Sequence, residues 1–146
     1  MSKYQNFFRV NLDYKNQKEF VMIKGIHHVS MKCTKGKQYN EVLNFYSEIL
    51  GLNYQTWGDK ENPDIIIFDT GNGLIEIFTN KDDDAECGII RHLALVTDDI
   101  DKTVADVKSA GYEVFVEPKD ITVPFNAKIA FCFGPLGEQV EFFEQK

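Results

Sequence analysis

The chain has 146 residues, 23 acidic against 16 basic side chains, a formal net charge of −7, and 43% hydrophobic and 27% charged residues. That length suits one domain with a single core, and bases scattered through an acidic chain exclude the basic stripe of a nucleic-acid-binding protein. The longest stretch free of Asp, Glu, Lys and Arg, Ile49 to Gly58, is far below the roughly 20 apolar residues of a membrane span, so no membrane partner is expected.

The N-terminus lacks a basic segment followed by an apolar one, which points to a cytoplasmic protein. Cys33, Cys87 and Cys132 are odd in number and lack CxxC spacing, which argues against a disulfide framework and a cysteine-built zinc site.

Residues 1–21 mix Phe7, Phe8, Val10, Leu12 and Tyr14 with charges at no clean period. They are expected to be an extension of unknown role, dispensable for the site, ahead of a single domain over 22–146. From Ile26 the pattern alternates, with His28, Ser30 and Lys32 on one face of a strand and Val29, Met31 and Cys33 on the other. On this alternation His27 points away from His28, to pack or to supply a supporting hydrogen bond. Tyr39, Val42, Leu43, Tyr46, Ile49 and Leu50 form one apolar helix face, closed by Gly51.

Leu52 to Trp57 and Ile65 to Phe68 read as strands around a turn-rich connection. The tight Asp69–Gly73 link then leads into Leu74-Ile75-Glu76-Ile77-Phe78. The acidic loop Lys81 to Glu86 is read as solvated.

The same order then returns. Arg91-His92-Leu93-Ala94-Leu95-Val96 repeats the histidine strand, 64 residues after His28. Thr97 or Asp98 caps a helix with Ile100, Val104, Val107 and Ala110 on its apolar face, ended by Gly111. Tyr112 to Val116 and Lys128 to Phe133 are strands, Pro118 to Phe125 an edge loop, and Gly134-Pro135-Leu136-Gly137 turns into Gln139-Val140-Glu141-Phe142-Phe143. His28 and Glu76 are 48 residues apart and His92 and Glu141 are 49 apart. The fold class is therefore α+β: two paired βαβββ modules, at about 23–80 and 88–144.

Taken singly, each of these four residues would be an ordinary hydrogen-bonded or solvated side chain. As a set at equivalent places in a duplicated module they read as ligands, because a strand carboxylate between apolar neighbours is costly to bury unpaired. Two imidazoles and two carboxylates suit a borderline divalent ion, Zn²⁺, Ni²⁺ or Co²⁺. Aromatic strand residues such as Trp57, Phe68, Phe131 and Phe133 are candidate pocket walls, although such residues more often serve a core.

Gly25-Ile26-His27-His28-Val29, Asn44 to Leu52, Gly73 to Ile77, Arg91 to Leu95 and Gly134 to Phe142 together resemble the vicinal oxygen chelate superfamily. That superfamily includes glyoxalase I, methylmalonyl-CoA epimerase, fosfomycin-resistance proteins, extradiol dioxygenases and bleomycin-binding proteins. The resemblance implies curled mixed sheets around a metal-binding cleft, and a homodimer whose metal sites are shared between chains. Glu at position 76 favours chemistry like that of glyoxalase I (lactoylglutathione lyase): isomerisation of a hemithioacetal of a 2-oxoaldehyde and a thiol, a small-molecule substrate. In that reading His28, Glu76, His92 and Glu141 hold the metal, and Glu141, with Glu76 as counterpart, moves the proton. Asn80 and Lys32 would bind substrate, Lys32 standing where the family usually has Arg. A small-molecule binding or resistance protein, an epimerase and a dioxygenase are the alternatives on the same fold.

Overall fold

The computed structural model describes residues 22–79, 90–134 and 137–146. The 1–21 extension, the acidic loop, Asn80 and Cys87 lie outside them. The first module runs β1 (Ile23–Lys32), α1 (Lys37–Leu43), β2 (Asn53–Gly58), β3 (Pro63–Asp69) and β4 (Leu74–Phe78). The second runs β5 (His92–Thr97), α2 (Ile100–Ser109), β6 (Val114–Ile121), β7 (Ala127–Phe133) and β8 (Gln139–Gln145). All eight strands join one curled mixed sheet in the order β2-β3-β4-β1-β5-β8-β7-β6.

Within each module the first and last strands are parallel neighbours, β1 with β4 and β5 with β8. The modules meet through antiparallel β1 and β5. The two helices cover one face of the sheet. Tyr39, Val42, Leu43 and Tyr46 pack on Cys33, Ile66, Phe68 and Ile77. Ile100, Val104 and Val107 pack on Ala130, Cys132 and Phe142. These are the alternate positions to Glu76 and Glu141 on β4 and β8, so the pleat that feeds the core turns both carboxylates to the other face.

Away from the site, the structure departs from the sequence pattern in three places. The first helix winds into a π-helix over Asn44–Ile49, where Leu50 N–H donates to Phe45 C=O at 3.0 Å. This wider turn breaks the 3.6-residue phase and leaves Ile49 and Leu50 64% and 51% exposed, outside the apolar face expected of them. The second helix is capped by Asp99, whose side chain accepts from Lys102 N–H, one residue beyond the expected caps. Finally, β6 continues through Pro118 to Ile121. It is an edge strand, where a missing N–H faces away from the ladder, and its register slips between Val116 and Lys119.

Among the described residues no helix is long and apolar enough to cross a membrane. Cys33 and Cys132 are free and buried.

Candidate metal centre

The four central strands carry the site. Two rows of residues cross them: Leu74, His28, Ala94 and Glu141 in one, and Glu76, Ser30 and His92 in the other. Each row places a small, fully buried residue, Ala94 or Ser30, between longer side chains that reach over it. His28, Glu76, His92 and Glu141 are all buried, and they converge.

His28 Nε2 lies 3.0 Å from His92 Nε2. Glu141 Oε2 is 3.0 Å from His28 Nε2 and 2.9 Å from His92 Nε2. Glu76 Oε2 stands 3.5 and 3.7 Å from the same two nitrogens. Ligands at about 2.1 Å from one metal ion are separated by roughly 3.0 Å at right angles and 3.4 Å at tetrahedral angles, so these spacings fit donors around a single cation. Of the four, His28, Glu76 and His92 have donor atoms mutually within 4.8 Å. The mixed nitrogen and oxygen set, buried and anionic, suits a divalent metal.

The two carboxylates differ. Burial raises the pKa of Glu76 above the usual carboxylate range, against weaker opposing pulls from His28 and His92. Burial also works to raise Glu141, but hydrogen bonds from His28 and His92, with their charge, outweigh it together and leave that pKa lowered. The buried Ser30 hydroxyl beside Glu76 contributes a small lowering influence but makes no hydrogen bond of full geometry.

His27 is not on the opposite face. The register of β1 against β5 slips between Ile26 and His28, so His27 is the extra residue of a β-bulge, which re-aims a side chain. Its Nδ1 lies 2.8 Å from His28 Nδ1. Its ring stacks on Phe143 at 3.7 Å between centroids and meets Phe125 edge-on at 4.9 Å. Burial, then the neighbouring His28, push its pKa down to about 4, against Glu141. A neutral His27 is the acceptor that His28 needs if its Nδ1 keeps the proton and its Nε2 is left to ligate, the role an outer partner plays for a metal-bound histidine.

A cleft of ≈ 350 Å³ opens over the four donors, walled by Phe115, Ile121, Phe125, Ile129 and Phe131 among others. Phe131 meets His92 edge-on at 5.2 Å. Of the other aromatic residues, Phe68 is buried in the core beneath α1, Phe133 stacks on Phe115, and Trp57 lines an adjoining cavity of ≈ 330 Å³. Lys32 lines a separate cavity of ≈ 220 Å³ with Gln38, Val42 and Tyr46 near the helix, not the cleft. The bases that line the cleft are Arg91 and Lys119, neither assigned to the site from sequence. Arg91 adjoins His92, which is a signal in the sequence, whereas Lys119 offers none because Pro118 makes its segment read as a loop.

The Glyoxalase/Bleomycin resistance protein/Dioxygenase superfamily profile matches residues 25–142, and the chain belongs to this superfamily. It is 30% identical over 132 residues to the uncharacterized protein YaeR of Escherichia coli (strain K12), covering 84% of this chain and 98% of YaeR. Methylmalonyl-CoA epimerase from Mycobacterium tuberculosis shares the fold, with a TM-score of 0.69 at 17% identity over 89% of this chain and 93% of that one. So does the Mn(II)-bound glyoxalase from Novosphingobium aromaticivorans, with a TM-score of 0.66 at 20% identity over 84% of this chain and 39% of that one.

Replacing His27 by Phe keeps the stack and removes the acceptor. Metal affinity, measured by competition with a chelator, should fall about 10- to 100-fold, with partial recovery in His27→Gln. An unchanged affinity in His27→Phe would exclude the supporting role.

A pH dependence follows as well. An unfolded imidazole titrates near 6.5 whereas folded His27 titrates near 4, so between these values the unfolded chain binds the extra proton. Stability from the neutral ring is thus complete above 6.5 and is lost as pH falls through about 4. Denaturant melts of the metal-free protein should show a steeper loss over that window in the wild type than in His27→Phe. Parallel curves would contradict the shift.

Proposed function

We propose that the protein is a metal-dependent isomerase of the glyoxalase I type, acting on a hemithioacetal formed from a 2-oxoaldehyde and a thiol. The observation that carries this reading is the pair of buried carboxylates set against two imidazoles, Glu141 within 3.0 Å of both and Glu76 at 3.5 and 3.7 Å. Two carboxylates in unequal surroundings at one site divide the roles of proton acceptor and proton holder.

A divalent ion, Ni²⁺, Co²⁺ or Zn²⁺, held by His28, Glu76, His92 and Glu141 would polarise two adjacent substrate oxygens and stabilise negative charge developing on them. The chain supplies the rest. Glu141 takes the proton from one carbon. Glu76 is the counterpart in its return to the adjacent carbon. The proton leaves one carbon and arrives at the next, so the step needs no external oxidant or reductant. The apolar walls at Phe115, Phe131 and Ile129 exclude water while the charge is present.

Glu141→Gln fills the same space but cannot accept the proton. With bound metal verified by elemental analysis, kcat should fall roughly 100-fold or more while KM moves little. A variant that retains metal and full kcat would remove Glu141 from the proton transfer. Wild-type protein loaded in turn with Ni²⁺, Co²⁺ and Zn²⁺ that turns over no hemithioacetal would overturn the isomerase reading in favour of small-molecule binding or epimerisation.

We also propose that the protein acts as a homodimer. In the structure a single chain supplies all four donors, whereas the resemblance implies donors divided between two chains. If each site is built within one chain, a mixture of His28→Ala and His92→Ala chains stays inactive after subunit exchange. Recovered activity, with exchange monitored by native mass spectrometry, would show that the modules trade places between chains.

A further inference from the structure

We infer that the cavity beside the cleft binds an uncharged, hydroxyl-rich ligand of the short-sugar class, stacked on Trp57 and hydrogen-bonded by Gln55, Asn53 and Asp69. The site lies outside the chemistry given under Proposed function and does not depend on it.

The sheet that builds the metal centre also builds this cavity. Asn53 faces Asp69, and Asp69 faces Leu74, in the row that continues to His28. Gln55 faces Ile67, and Ile67 faces Glu76, in the row that continues to Ser30 and His92. By pleat alternation these side chains share the face that carries the four donors. With Trp57, Pro124 and Phe125 they line a cavity of ≈ 330 Å³, and Pro124 and Phe125 also wall the cleft. A ligand held here lies beside whatever occupies the cleft.

Trp57 is not used by the core. It is the half-buried residue of an otherwise exposed edge strand, and it packs in none of the three hydrophobic clusters of described residues. The side chains of Asn53 and Gln55 make no hydrogen bond among the described residues. Asp69 Oδ1 accepts from Gly71 N–H at 2.7 Å, which fixes the carboxylate and leaves Oδ2 to accept from a ligand.

The chemistry of the lining selects the ligand. Asp69 is its charged group and no base lines it among the described residues, so an anion is repelled. A purely apolar ligand would strip water from two amides and a carboxylate without replacing it. An ammonium ion is held best by a carboxylate and an aromatic face together, yet Trp57 lies four residues along the hairpin from the Asn53–Asp69 pair, about 14 Å. Two amides, each with two N–H donors and an acceptor oxygen, and one carboxylate suit hydroxyls, which both donate and accept. A sugar also has an apolar C–H face for the indole to cover, and a disaccharide has the length to reach from Trp57 to Asp69.

Trp57 is the chain's single tryptophan, so its fluorescence reports on this cavity. The full chain is titrated with maltose, cellobiose and lactose, and with tetramethylammonium and lactobionate as cationic and anionic counterparts. At least one disaccharide should change the emission saturably, and lactobionate should bind more weakly than lactose. In Asp69→Ala the affinity for that disaccharide should fall about tenfold, as expected for a hydrogen bond to a charged group. Gln55→Ala, on the exposed strand, should weaken it about threefold and covers the case in which loss of the Gly71 contact disturbs the Asp69 variant. A saturable change with none of the three sugars overturns the proposal, as does tighter binding of tetramethylammonium, or a sugar affinity unchanged in both variants. The signal requires neither metal nor turnover, so failure of the isomerase reading leaves this result readable on its own.

Discussion

Two carboxylates and two imidazoles buried within about a hydrogen bond of one another constrain everything else in this molecule. Such a cluster is costly to desolvate unless its charges and lone pairs are met together. The fold meets that requirement by confining the cluster to four adjacent central strands and assigning the opposite pleat positions to the helices. The two carboxylates differ in their approach to the imidazoles: Glu141 is 3.0 and 2.9 Å from them, within hydrogen-bond distance of both, and Glu76 stands off at 3.5 and 3.7 Å. That difference is enough to send their proton affinities in opposite directions, so a duplicated unit yields two inequivalent acids.

The duplication explains how one chain can build the centre. A parallel pairing of first and last strands puts each module's histidine strand beside its glutamate strand, and one antiparallel pairing of β1 with β5 brings the halves together. Ser30 and Ala94 each lie two residues after His28 or His92 and occupy the crossing points between the longer side chains. A bulky residue at either place would fill the space over which the donors close. The same pairing can in principle be made within a chain or between two copies, because exchange of identical modules conserves every contact except the link.

Much of this was legible in the sequence, for identifiable reasons. The near-equal spacing of His28 to Glu76 and His92 to Glu141, with alternation around each and a glycine after each helix, is a local signal that survives without tertiary information. Gly51 and Gly111 indeed adopt left-handed φ of 73° and 89°. What was not legible depends on single insertions or on distant strands. The bulge at His27 is one extra residue, invisible to a period-two reading. The π-helix shifts Ile49 and Leu50 out of phase without changing the residue pattern. Lys119 reaches the cleft because an edge strand tolerates Pro118, and Lys32 lines a different cavity although its strand alternation matches that of His28.

The residue preceding each candidate ligand histidine shows how two copies of one module come to differ. In the first copy it is His27, rotated by the bulge to the side of His28, sandwiched by aromatic rings and kept neutral by burial. In the second it is Arg91, permanently charged, pinned over Phe78 and lining the cleft. A cation in place of His27 would be 2.8 Å from a ring nitrogen of a ligand and would oppose the positive charge of any metal bound there. The backbone irregularity in β1 therefore separates two surroundings at one equivalent position: a neutral ring set against the imidazole of His28, and a guanidinium over Phe78 at the lining of the cleft.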